Sequence, residues 1–92
     1  MDFIKVSKEG GIATVTMGRG KVNAINETFI DELGVVFHRL AEDAETKAVI
    51  LTGGGKFFSF GFDIPEFLSY SKNDFTRYLR KFCAAYLQMF LF

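Results

Sequence analysis

The chain has one cysteine, one proline, one histidine and no tryptophan in 92 residues, and its eleven basic and eleven acidic side chains cancel. A lone Cys83 excludes an internal disulfide and suits a reducing compartment. The basic residues are scattered, with no stripe and no Arg-rich arm, which gives nucleic-acid binding no footing. The N-terminal Met1-Asp2-Phe3-Ile4-Lys5 lacks the long apolar core of a secretion signal. The longest nearly apolar run, residues 82–92, is too short for a membrane-spanning helix. His38, between Phe37 and Arg39, reads as a surface or boundary residue, and no metal site is assigned.

Apolar residues, by contrast, are abundant. They make up 49% of the chain and aromatics 16%, including twelve Phe. That is a heavy load for a chain with room for one modest domain. Some Phe must therefore be exposed, paired with another chain, or meant for a part of the fold that lies elsewhere.

Two β-rich runs around Glu9-Gly10-Gly11 predict a hairpin, with strands over 2–7 and 11–17. Asn26 is placed as a helix N-cap, and Glu27 faces the helix dipole. Over 27–43, Phe29, Ile30, Leu33, Val36, Phe37 and Leu40 form one helical stripe. Gly34 interrupts this helix at a cost of roughly 1 kcal/mol relative to Ala, which predicts close packing there. The run Ala48-Val49-Ile50-Leu51 predicts a strand over 48–52 buried on both faces, completing a βαβ unit. Asp63-Ile64-Pro65-Glu66 reads as a short capped helix. A longer helix over 72–90 follows the cap at Ser71, with an aromatic stripe from Phe75 to Phe90 expected in the core or at a subunit contact. Cys83 is expected to pack there as a small apolar group. This helix ends on Met89-Phe90-Leu91-Phe92 with no Gly, Pro or basic residue to stop it. The expectation is a segment, 1–92, cut at its C-terminus.

The most informative stretch is Leu51-Thr52-Gly53-Gly54-Gly55 running into Lys56-Phe57-Phe58-Ser59-Phe60-Gly61-Phe62-Asp63-Ile64. A strand that turns through glycines into a helix start leaves backbone N–H groups facing a cleft, where they can hold an oxygen as it gains negative charge. A plain turn is the simpler alternative. A phosphate loop lacks support, because P-loop spacing and a Ser or Thr after Lys56 are missing. Ser59 has no His in its pattern and is not read as a nucleophile. Asp63 reads as an N-cap and Glu66 as part of the same helix start.

The order of elements, Lys21-Val22-Asn23-Ala24-Ile25-Asn26, Val49-Ile50-Leu51-Thr52-Gly53 and Phe58-Ser59-Phe60-Gly61-Phe62-Asp63 together resemble the crotonase, or enoyl-CoA hydratase/isomerase, superfamily. The last of these motifs is closest in wording to Δ3,Δ2-enoyl-CoA isomerase-like members. The resemblance implies an α/β fold, here an incomplete ββαβα N-terminal portion of the crotonase spiral. It implies a backbone oxyanion donor at Phe60 N–H for an acyl-CoA thioester. Phe58, Ser59, Gly61, Phe62 and Asp63 would line the thioester and pantetheine site, and Lys21, Val22 and Ala24 would contact CoA. No cofactor is implied beyond the CoA thioester as substrate. The second donor and the acid/base carboxylates belong downstream in the family, so this chain alone is expected to be inactive.

The resemblance further implies fatty-acid metabolism in the cytoplasm, or in the matrix or peroxisome of a eukaryote. The heavy aromatic load leaves a homo-oligomer through an exposed aromatic surface open; family members commonly form trimers, but much of that interface lies outside this segment. The alternative is a non-catalytic acyl-CoA-binding or interaction protein that docks on full-length homologues.

Overall fold

The computed structural model describes residues 2–92; Met1, the first residue of the expected segment, lies outside the described residues. Gly10 and Gly11 take φ of +58° and +83°, the left-handed backbone of a two-residue hairpin turn. They join β1 (Ile4–Glu9) to β2 (Ile12–Met17) antiparallel, with Glu9 opposite Ile12 and Ile4 opposite Met17. The first strand is therefore displaced from the expected 2–7. The tight turn lets pairing run up to Glu9, while at the other end the N–H of Phe3 turns to the Glu32 carboxylate at 3.0 Å.

Helix α1 (Glu27–Glu42) starts where the Asn26 side chain accepts the Phe29 N–H at 2.8 Å, and all six residues of the expected stripe are buried. Strand β3 (Ala48–Gly53) returns parallel to β2, so the sheet runs β1-β2-β3 around a βαβ unit. Asp63 caps α2 (Ile64–Phe67), and Ser71 caps α3 (Lys72–Phe90) by accepting the Asp74 N–H at 3.1 Å. The core forms where Ala13, Val15 and Met17 of β2 meet the α1 stripe and Tyr78 of α3. Among the described residues, no helix is long and apolar enough to cross a membrane.

Several expectations are corrected. Strand β3 is not covered on both faces: Val49 and Leu51 pack on the core, but Ile50 is 50% exposed. The aromatic stripe of α3, expected in the core or at a subunit contact, is divided between core and surface. Tyr78 and Ala85 are buried, Phe82 and Met89 are half-buried, and Phe90 is 76% exposed. Cys83, expected to pack, is exposed. A three-stranded sheet and α1 present too little surface to cover more than one side of so long a helix. His38 lies on the surface as expected, 2.6 Å from Glu42 one turn on.

Two glycines behave in opposite ways. A Cβ on Gly34 would meet only Gln88 Oε1, at 3.7 Å, so close packing does not explain that glycine. A Cβ on Gly53 would collide with the Phe57 carbonyl oxygen and stand 2.9 Å from Phe58 Cα, because the loop after β3 folds back onto the strand end.

Glu27, at the start of α1, binds α3. Its carboxylate accepts Arg77 Nε at 2.9 Å, Arg77 Nη2 at 2.8 Å and Lys81 Nζ at 2.8 Å. The Arg77 hydrogen bonds first, then those of Lys81, hold its pKa down from 4.5 to about 2.

Gly34→Ala should stabilise the chain by up to ~1 kcal/mol through helix propensity, whereas Gly53→Ala should destabilise it by about 1–3 kcal/mol through overpacking; urea unfolding of the two variants checks both signs. Because Glu27 titrates lower when folded, its contribution is complete above pH 4.5 and disappears as pH falls towards 2. The stability gap between the wild type and Glu27→Gln should therefore shrink over that interval in urea titrations at stepped pH. A gap that stays constant would remove the ion pair from the account.

Candidate functional site

Strands β2 and β3 are parallel and in register, with Met17 opposite Gly53. Both strands therefore end at the same edge of the sheet, and the segments that leave them, residues 18–26 and 54–63, lie side by side. Gly54 N–H still reaches Met17 O at 2.8 Å, which carries the pairing one residue past β3.

Asn23 then ties the two segments together. Its side-chain amide donates to the carbonyls of Phe57 at 3.1 Å and Phe58 at 3.0 Å, and its oxygen accepts the Arg19 N–H at 2.8 Å. Its own carbonyl accepts the Ser59 hydroxyl at 2.8 Å. The residue is 2% exposed and sits at φ +50°, a conformation that asparagine tolerates better than most side chains. Sequence reasoning treated Asn23 only as one letter of a loop. An asparagine inside an otherwise apolar motif was the available signal, since such a residue favours left-handed backbone and local hydrogen bonds.

Beyond Asn23 the segments pair as a single-residue parallel bridge, Ile25 with Phe62. Phe60 N–H donates to Val22 O at 2.9 Å, Ile25 N–H to Gly61 O at 2.8 Å, and Asp63 N–H to Ile25 O at 2.9 Å. These bonds correct the expected donor. The N–H of Phe60 is engaged by Val22 and is not available to a ligand. Among the four amides from Phe60 to Asp63, that of Phe62 alone has no acceptor among the described residues. Its direction follows from the peptide it belongs to. Gly61 O points at Ile25, and in a trans peptide the N–H points the opposite way, so the Phe62 N–H faces away from the first segment. Gly61 reaches this arrangement at φ +96°, with its own N–H on Ser59 Oγ at 3.0 Å.

The remaining candidates fall into distinct roles. Ser59 is a brace between Asn23 and Gly61. Asp63 caps α2 by accepting the Glu66 N–H at 3.2 Å, and it also pairs with Arg19 Nη2 at 2.9 Å. Glu66 turns its carboxylate to the Glu27 N–H at 3.3 Å. Val22 and Ala24 are half-buried with their carbonyls already engaged, and Lys21 is exposed with no partner for its ammonium among the described residues. Phe58 and Phe60 are exposed by 56% and 65%.

The ring of Phe62 points into the fold, 4.9 Å from Phe82 and 5.3 Å from Phe67 between centroids. Tyr78, fully buried, touches the same ring and donates its hydroxyl to Ile25 O at 3.3 Å. Beside these loops opens an apolar cleft of about 380 Å³, lined by Met17, Ile25, Leu51, Phe58, Ser59 and Phe82 among others. An N–H with no acceptor, on a loop whose Phe58 and Ser59 line an apolar cleft, suits a ligand with a carbonyl and an aliphatic tail.

Known proteins share this fold. The family model for enoyl-CoA hydratase/isomerase matches residues 7–91. The chain is 44% identical over 68 residues to the short-chain-enoyl-CoA hydratase of Clostridium acetobutylicum, covering 72% of this chain and 26% of that protein. To the carnitinyl-CoA dehydratase of Citrobacter koseri it is 42% identical over 64 residues, covering 68% and 24%. The crystal structure of an enoyl-CoA hydratase/carnithine racemase from Magnetospirillum magneticum superposes with a TM-score of 0.88 at 34% identity, over 96% of this chain and 34% of that one. Pseudomonas aeruginosa DspI superposes equally well, at 0.88 and 27% identity, over 96% and 36%. The chain thus spans about a quarter to a third of the length of these relatives. The chain, matched by that family model from residue 7 to residue 91, belongs to the enoyl-CoA hydratase/isomerase family and carries that share of the crotonase α/β fold.

Proposed function

We propose that this chain binds an acyl-CoA thioester and supplies one half of an oxyanion hole, with the Phe62 N–H as donor. The observation that carries this reading is the unpaired N–H of Phe62 at the bridge, where the neighbouring amides of Phe60, Gly61 and Asp63 are all engaged. A thioester carbonyl on that donor gains charge as an enolate forms, and a fixed dipole stabilises it without reorganising. The acyl chain would lie in the cleft beside Phe58 and Phe82, and the CoA moiety would follow the surface of Lys21, Val22 and Ala24. The reaction class is then water addition or removal, or a double-bond shift, next to the thioester.

The carboxylates nearest the donor hold structural positions. Asp63 is paired with Arg19, and Glu66 accepts the Glu27 N–H. Neither is offered as the proton carrier, and the chain as given is proposed to bind without turnover. As the N-terminal part of a longer enzyme, this segment would need a second N–H and a free carboxylate from downstream to complete the chemistry.

Amide-resolved NMR tests the donor. In the free chain the Phe60 amide should be protected from hydrogen exchange by Val22, and the Phe62 amide should exchange quickly. On titration with butyryl-CoA the Phe62 amide should move downfield and that of Phe60 should stay in place, while a 2-enoyl-CoA substrate is not consumed. A Phe62 amide that is unmoved at saturation, or clear turnover by this chain, would overturn the reading.

A further inference from the structure

The Ile25–Phe62 bridge is one residue long, and by itself its two hydrogen bonds are too few to hold a peptide plane in a fixed direction. Helix and sheet ladders elsewhere in the chain are several residues deep. Side chains must help to keep this isolated pair in register: Tyr78 contacts both of its residues from the core side, and Arg19 grips the residues beside them. The guanidinium of Arg19 donates from Nη1 to Ala24 O at 2.8 Å and from Nη2 to Asp63 Oδ2 at 2.9 Å. Ala24 immediately precedes Ile25, and Asp63 immediately follows Phe62. The two prongs of one planar group therefore grip both strands of the bridge.

Arg19 is itself fixed at its root and along its length. Its N–H is held by Asn23 Oδ1 at 2.8 Å, and its guanidinium carbon stands 5.7 Å from the centre of the Phe3 ring. The Arg19 and Asp63 side chains are 24% and 17% exposed, so water competes weakly for them. Asp63 in turn is anchored as the cap of α2, which makes its carboxylate a rigid target rather than a floating one.

We infer that Arg19 is a positioning residue for the donor: it sets the orientation of the Phe62 peptide and, with it, the strength with which a bound carbonyl is polarised. This rests on the acyl-CoA reading above. The role needs the forked geometry, because two acceptors on two segments must be met by one rigid plane. A lysine carries the same charge but only a point donor on a flexible stem.

The test uses butyryl-CoA labelled with ¹³C at the thioester carbonyl, bound to the wild-type chain and to Arg19→Lys and Arg19→Ala. In the wild type the bound carbonyl resonance should move downfield from its free position. Both variants should lose most of that displacement. Their preference for butyryl-CoA over CoA should fall by up to about tenfold, the equivalent of one hydrogen bond between neutral groups. Retained far-UV circular dichroism in the Lys variant, with affinity for CoA itself unchanged, separates loss of positioning from loss of fold.

If a folded Arg19→Lys variant keeps the full carbonyl displacement, the positioning role is overturned. If the wild type shows no displacement at all, the acyl-CoA reading fails. The positioning role is then judged on the free chain alone, where Arg19→Lys must still shift the Phe62 amide resonance while leaving that of Phe60 in place. An unshifted Phe62 amide in that variant overturns it.

Discussion

The side-chain amide of Asn23 joins the two segments that leave the sheet, and the rest of the site is arranged on that junction. It is nearly inaccessible to solvent, yet its donors and its oxygen are all paired, with Phe57, Phe58 and Arg19. A buried amide so fully satisfied specifies one arrangement. Leaving a carbonyl without its partner costs about 1–3 kcal/mol, against a total stability of only ~5–15 kcal/mol for a typical domain. Every later contact in the loops, from the Ser59 brace to the Ile25–Phe62 bridge, presupposes that these segments already lie side by side.

The topology explains why the junction exists at all. Parallel pairing of β2 and β3 with α1 between them brings two strand ends to one edge, and such edges are where open α/β sheets gather their ligands. Phe62 then serves both sides of the boundary. Its backbone belongs to the site, and its ring joins the aromatic cluster of Phe67, Tyr78 and Phe82 that seats α3. A bulky side chain at this position is no obstacle to a backbone role, because the ring is turned away into the fold. The same cluster fixes where α3 runs, and α3 supplies much of the far wall of the cleft.

Much of this was legible in the residues. Stripe positions of α1, the caps at Asn26, Asp63 and Ser71, and the Gly10-Gly11 turn are local signals with local causes, and each stands where it was read. Burial was less legible. Ile50 and Cys83 sit in apolar runs, but whether a run is covered depends on how many layers surround it, which no window of sequence records. The proposed donor lies two residues from the expected one for a related reason. Phe60 and Phe62 flank the same glycine and look alike in sequence. Only the pairing partner decides between them, and Val22, some forty residues away in the chain, takes one N–H and leaves the other. Arg19 was equally silent, since its two acceptors meet only after the segments are joined.

The bond from Ile25 N–H to Gly61 O has an electronic consequence as well as a geometric one. Gly61 O and Phe62 N–H are the two ends of a single conjugated amide. Drawing electron density towards the oxygen leaves the nitrogen poorer and its proton more acidic, a cooperative strengthening on the order of 10–30% per bond. The contact that aims the amide therefore also sharpens it. Through that shared resonance, the first segment reaches an atom on the opposite side of the peptide, which it never touches.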